Sequence, residues 1–146
     1  VVKILILNGP NLNVLGRRSP GHYGTKTLDE INQALTAQAQ GLGVDLAFFQ
    51  SNLEGEIVTC IQEHWGDIQG IIINPGALTM YGYSLKDALI DASMPVIEVH
   101  LSNIHAREEF RRHSVIADIA RGQIAGFGWR SYTAALDIMA EIAQEN

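Results

Sequence analysis

The chain has 146 residues, which fits one domain with a full core (residues 1–146) and falls short of two of ordinary size. Hydrophobic residues make up 47 % and charged residues 18 %, which excludes a disordered or fibrous chain, and the formal charge of -6 argues against nucleic acid or an acidic membrane as partner. The one cysteine, Cys60, allows no internal disulfide, and no apolar run approaches the roughly 20 residues of a membrane span, so a cytoplasmic chain without membrane partners is expected.

Val2 to Leu7 is a continuous β-rich run, stopped by the turn residues Asn8-Gly9-Pro10, and is expected to be the central strand. The segment from Asn11 to Gly24 is long for a strand-to-helix connection, and its glycines and Pro20 suggest a lid. Thr27 opens a helix with Glu30 three residues later, the pattern of a capping box, and Leu28, Ile31, Leu35 and Leu42 carry an apolar stripe up to Gly43. Val44 to Gln50 is the second strand. Glu54 to Trp65 carries Ile57, Val58, Ile61 and Trp65 at helical spacing, with Trp65 read as packing and Cys60 as core.

Gly70 to Ile73 is a third, wholly apolar strand that runs into Asn74-Pro75-Gly76-Ala77. A third helix extends from Tyr83 or Ser84 to Ala92 on Leu85, Leu89 and Ile90, and Pro95 leads into a fourth strand over the stretch Val96 to Ser102, apolar at first and polar at its end. The segment His105 to Arg112 reads as helical, with Arg107 and Arg111 four apart on one face and Arg112 free to pair with Glu108. Gln123 to Gly128 is a fifth strand, and Ser131 caps a last helix with the stripe Ala135, Leu136, Met139, Ile142 and Ala143. Strands and helices alternating at this spacing give an α/β, doubly wound, flavodoxin-like fold of about five parallel strands in the order 2-1-3-4-5.

That order brings Asn11, Arg18 and Tyr23 after strand one, Asn74 after strand three, and Ser102, Arg107 and Arg111 after strand four to one crevice at the switch point of the sheet. On strand four, Glu98 and His100 share a face, and a carboxylate beside a buried imidazole fixes its tautomer. Taken alone the pair reads as an architectural hydrogen bond; with two arginines beside it, it reads as an acid next to an anion-binding rim.

Tyrosine, with an ordinary pKa near 10, needs roughly 4 kcal/mol of preferential phenolate stabilisation to act as a base at pH 7. Arg18 or Arg17, just before Tyr23, supplies a cation for that purpose; otherwise Tyr23 is an aromatic plug and the arginines a solvated pair. Asn11 and Asn74 suit an enolate oxygen, a water or substrate hydroxyls, and equally suit turns. Ser102 lacks a nucleophile elbow, so its hydroxyl and amide suit a carboxylate better. No histidine has metal-ligand spacing, so no metal is implied, and with neither a dinucleotide fingerprint nor a P-loop nucleotide binding finds no support. A base, a separate acid and an anion clamp describe proton abstraction beside a carbonyl with loss of a leaving group, on an anionic substrate.

Asn8-Gly9-Pro10-Asn11-Leu12-Asn13, Leu15-Gly16-Arg17-Arg18, Tyr23-Gly24, Asn74-Pro75-Gly76-Ala77, Ile97-Glu98-Val99-His100-Leu101-Ser102-Asn103 and Arg107-Glu108-Glu109-Phe110-Arg111 closely resemble type II 3-dehydroquinate dehydratase, the small dehydroquinase, nearly end to end. The resemblance implies a cofactor-independent lyase that converts 3-dehydroquinate to 3-dehydroshikimate by anti elimination through an enolate, in a homo-oligomer, a dodecamer built of trimers. It implies Tyr23 as base, Arg18 as the cation that tunes it, Asn11 at the enolate, and His100, oriented by Glu98, as acid. Asn74 and Arg111 match positions that hold substrate hydroxyls, Leu101 and Ser102 the pair that holds the carboxylate, Arg107 a lid-contacting arginine, and Asp87 an acid that reaches a neighbouring subunit's site. The reaction belongs to the shikimate pathway towards chorismate and the aromatic amino acids, and also serves quinate breakdown. One departure stands out: where the family commonly has Thr-His-Thr-Ser, this chain has Thr79-Met80-Tyr81-Gly82. The competing expectations are a non-catalytic binder of small anionic hydroxy acids on the same fold and a flavin-binding electron carrier.

Overall fold

In the computed structural model, which describes residues 1–145, strand β1 (Lys3–Asn8) sends Ile4 and Ile6 to one face of a sheet and Leu5 and Leu7 to the other, and all four are fully buried. A strand buried on both faces belongs in the interior of a parallel sheet. It pairs with β2 (Asp45–Gln50) on one side and β3 (Gly70–Asn74) on the other; β4 (Val96–His100) and β5 (Gly122–Ala125) complete a five-stranded parallel sheet in the order β2-β1-β3-β4-β5. The flavodoxin-like order expected from sequence is therefore the observed one. The central strand is β3 and not β1, because an apolar run marks burial on both faces without saying how many strands lie beyond.

The helices are α1 (Pro20–Tyr23), α2 (Leu28–Leu42), α3 (Glu54–Glu63), α4 (Leu78–Tyr81), α5 (Tyr83–Ala92) and α6 (Arg130–Gln144). The capping box forms: the Thr27 hydroxyl accepts from the Glu30 amide, the Glu30 carboxylate accepts from the Thr27 amide, and α2 ends at Gly43 in the left-handed region. Ile31 and Leu35 of α2, with Tyr132, Leu136 and Met139 of α6, cover the Ile4/Ile6/Ile72/Ile97 face. Ile57 and Ile61 of α3, with Leu85 and Leu89 of α5, cover the Leu5/Leu7/Ile71/Ile73 face. Cys60 is part of this second core. Among the described residues no helix is long and apolar enough to cross a membrane.

Four local expectations are corrected. The helix from Glu54 ends at Glu63, so Trp65 falls in the following turn and is 53 % exposed rather than packed. The segment His105 to Arg112 is not one helix but two 3-10 turns, Ile104–Ala106 and Glu109–Arg112, with an extended Arg107 between them. Its charges suggested a helical face, but it has no apolar stripe to pack one. Ser131 lies inside the first turn of α6, which begins at Arg130, and its hydroxyl accepts from the Phe127 amide at 3.3 Å instead of capping the helix. β5 stops at Ala125 because Gly126, at φ 98°, turns the chain away.

Candidate active site

Two loops meet at the C-terminal ends of β1 and β3. A Cβ on Gly9 would lie 2.2 Å from the Pro75 carbonyl oxygen, and one on Gly76, at φ 59°, would lie 2.9 Å from that of Pro10, so only glycine lets the two backbones touch. The contact brings the segment that carries Asn11, just beyond β1, to the end of β3, whose last residue is Asn74, and both side chains line one crevice. Asn11 holds a left-handed conformation, φ 71°, which asparagine tolerates, and its amide donates to Asn52 Oδ1 at 2.9 Å. Gln50, at the end of β2, donates to the Gly9 carbonyl and to Asn52, which fastens the loop from the other side.

The loop continues through a short turn at Leu12–Val14 into α1, which delivers Tyr23 back over the strand ends. There the phenol oxygen accepts two hydrogen bonds from cations, Arg18 Nη2 at 3.1 Å and Arg107 Nη1 at 2.8 Å. The Arg18 guanidinium also lies 4.1 Å from the ring centroid. Hydrogen bonds from an ionised donor are roughly twice as strong as neutral ones, so the two guanidinium groups fix the position of the Tyr23 oxygen. Arg107 Nη1 also donates to the Ser102 hydroxyl at 3.2 Å, while its buried Nε has no hydrogen-bond partner among the described residues, a Glu108 carboxylate oxygen lying 3.8 Å away.

Along β4 the alternation of faces puts Glu98 and His100 together, and the His100 Nε2 to Glu98 Oε2 distance is 2.5 Å. Glu98 is fully buried, and its carboxylate also accepts from Gln123 Nε2 at 2.9 Å and Ser114 Oγ at 2.8 Å. Burial alone would push its carboxyl up; the hydrogen bond and charge of His100, with the two further donors, outweigh that and hold it below the usual carboxylate value. An ionised Glu98 can only accept, so His100 Nε2 is the donor and Nδ1 is left for the crevice.

Asn74 is buried at the crevice floor. Its Nδ2 donates to the Tyr132 hydroxyl at 2.9 Å, which donates to Asn8 Oδ1 at 2.5 Å, and its Oδ1 accepts from the Gly76 amide at 3.2 Å. Burial pushes the Tyr132 hydroxyl up, so it stays a neutral strut. Asn11, Arg18, Tyr23, Asn74, His100 and Arg107, together with Met80, Leu101, Ile104 and Arg111, line a crevice of about 180 Å3, which suits a small molecule. A tyrosine held by two cations, a carboxylate-backed histidine and further arginine charge in one small crevice can remove a proton, return one and hold an anion. No group of three or more metal-ligating side chains occurs among the described residues.

Residues 2–140 match the model of the family described as Dehydroquinase class II. The chain belongs to the class II dehydroquinases. A 3-dehydroquinate dehydratase from Herpetosiphon aurantiacus is 55 % identical over 93 % of this chain and 94 % of its own, and one from Roseiflexus castenholzii 56 % over 93 % and 87 %. The crystal structure of type II dehydroquinase from Propionibacterium acnes superposes with a TM-score of 0.92 at 42 % identity, covering 97 % of both chains.

In this class II dehydroquinase the crevice gathers Asn11, Arg18, Tyr23, Asn74, His100, Leu101, Ser102, Arg107 and Arg111, with Glu98 directly behind His100. Asp87 is exposed on α5 and does not line this crevice. Of the two candidate cations before Tyr23, Arg18 makes the contact and Arg17 is exposed. The expected Arg112–Glu108 pair is replaced by Arg111, whose Nε lies 3.2 Å from Glu108 Oε1, because the 3-10 turn spaces its faces by three residues and not four. Sequence reasoning missed Asn52 and Gln50 under Asn11, Tyr132 and Asn8 under Asn74, and Ser114 and Gln123 around Glu98. Gln123 alone had a signal, since it is the partner of Glu98 in the β4–β5 register.

Proposed function

We propose that the chain dehydrates 3-dehydroquinate to 3-dehydroshikimate by anti elimination through an enolate. The observation that carries this reading is the Tyr23 oxygen held by Arg18 and Arg107 in the same crevice as the His100–Glu98 pair. Tyr23, as phenolate, takes the C2 proton beside the C3 ketone; Arg18 and Arg107 hold its charge beforehand, and Arg18 also stabilises the negative charge that develops. The electron pair moves into the enolate, which Asn11 stabilises. Collapse of the enolate expels the C1 hydroxyl, which leaves as water with the proton from His100, and Glu98 stabilises the imidazolium before that transfer.

Substrate hydroxyls fall to Asn74 and Arg111, and the carboxylate to the Leu101 and Ser102 amides and the Ser102 hydroxyl, with Arg107 closing the wall. The same reading makes the chain a step of the shikimate pathway, a single catalytic domain in the cytoplasm, and a dodecamer built of trimers in which the exposed Asp87 reaches a neighbouring copy's site.

An ultraviolet absorbance time course with 3-dehydroquinate, in buffer containing a chelator and with Tyr23→Phe in parallel, tests the proposal. The conjugated enoate product raises absorbance, so a rise with the parent and none with the variant is expected. A folded parent that gives no rise overturns the dehydratase reading, and thermal stabilisation by unconsumed substrate would then make the chain a binder of hydroxy acids.

A further inference from the structure

Both oxygens of Glu98 are held from outside its own strand. Ser114 Oγ donates to Oε1 at 2.8 Å, while Gln123 Nε2 and His100 Nε2 share Oε2 at 2.9 and 2.5 Å. Gln123 sits opposite Glu98 in the β4–β5 register. Ser114 lies three residues beyond Arg111 and is itself anchored: its hydroxyl accepts from the Ile116 amide at 3.3 Å, and the next amide, Val115, donates to the Thr79 carbonyl at 2.8 Å. The segment that carries Arg111 and the short helix that carries Met80 are thereby tied to the back of the dyad.

We propose that Ser114 and Gln123 are positioning residues for the acid, fixing the two Glu98 oxygens so that the carboxylate addresses His100 Nε2 and leaves Nδ1 to face the crevice. A carboxylate with only the imidazole as partner can rotate about its last torsion, and each rotation carries the ring with it; a donor on each oxygen removes that freedom. The neighbours turned towards Glu98 from the adjoining elements, Ile73 of β3, Gln123 of β5 and Ser114 of the covering segment, are uncharged, and among the described residues His100 is the one titratable group acting on it. The two neutral donors therefore decide how firmly the pair is set. This inference rests on the reading of His100 as the acid.

The experiment measures kcat and KM for 3-dehydroquinate across pH 4.5–9 for the parent, His100→Ala, Ser114→Ala, Ser114→Thr and Gln123→Ala. Ser114→Ala and Gln123→Ala are each expected to lower kcat about tenfold, the size of one lost hydrogen bond to a charged group, with KM within about twofold of the parent. With one donor fewer the carboxylate protonates more readily, so the acid-side fall of kcat moves to higher pH. Ser114→Thr keeps the hydroxyl and is expected to restore both rate and profile. Profiles that superimpose on the parent's, or a Ser114→Thr as slow as Ser114→Ala, overturn the inference. Gln123 is exposed on the edge strand, so Gln123→Ala decides the matter if Ser114→Ala does not fold. Failure of the acid reading itself looks different: His100→Ala then turns over at the parent's rate.

Discussion

Gly9 and Pro75 touch backbone to backbone, with the Pro75 carbonyl oxygen 2.2 Å from where a Gly9 Cβ would stand. Carbonyl oxygens cannot swing aside as a side chain can, so Gly9→Ala has to separate the two segments that follow β1 and β3, and with them Asn11 from the end of β3 at Asn74. Overpacking of this kind costs about 1–3 kcal/mol. The variant is expected to lose that much stability in urea and most of its turnover. Gly70→Ala is the control, because its Cβ meets the Met139 thioether at 2.5 Å, the far part of a flexible chain. It should lose stability while kcat stays near the parent value, and equal activity loss in the two variants would contradict the loop argument.

Arg18 and Arg107 act on one atom, the Tyr23 oxygen, from different parts of the chain. Hydrogen bonds from charged groups are worth about 1.5–3 kcal/mol, so Arg18→Gln and Arg107→Gln should each cost roughly 10- to 100-fold in kcat while the fold is kept. Groups that act on the same atom are not independent, and the double variant should fall well short of the product of the two losses. Full additivity in this double-mutant cycle would mean that one arginine works elsewhere, and a near-normal Arg18→Gln would hand its task to Arg107 or Arg17.

The sheet was legible because its signals are local and repetitive: apolar runs, a capping box at Thr27 and Glu30, and helix–strand alternation fix the order once parallel pairing is assumed. The crevice was legible for the same reason, since residues just after strand ends gather wherever the strands go. What sequence could not reveal lies across the chain. The Tyr132 hydroxyl reaches Asn8 and Asn74 from a helix where it resembles any other core aromatic, and Ser114 reaches Glu98 from a segment without regular periodicity. The arginine segment failed for a different reason: charges four apart suggest a helix, yet Arg107 is held extended with its guanidinium on Tyr23 and Ser102, so tertiary contacts overrode the local pattern.

Met80 is half-buried on the crevice wall, at the position where the resemblance to the Thr-His-Thr-Ser pattern leads one to expect histidine. A thioether donates no hydrogen bond, so this part of the wall holds a substrate by shape alone. Met80→His is expected to fold, with a melting temperature close to the parent's, and to lower KM for 3-dehydroquinate with kcat little changed. A raised KM would show that the thioether packs on the substrate ring and that histidine is the poorer fit here.

Glu98 makes stability depend on pH. Its carboxyl is held below the ordinary value, so the folded chain binds fewer protons than the unfolded chain in the range between the two values. Its contribution is therefore fully present above the unfolded glutamate value of about 4.3 and is lost as pH falls through the lower folded value. Glu98→Gln removes this contribution and leaves those of Glu30 and Glu108, whose carboxyls are also held low but which lie elsewhere and appear in both proteins. Melting temperatures of the parent and the variant, measured from pH 5.5 down to pH 3, should differ most at the upper end and converge as the pH falls. Parallel curves over that range would mean that the carboxylate is no more stabilised in the folded chain than in the unfolded one, and that the three donors around it only offset its burial.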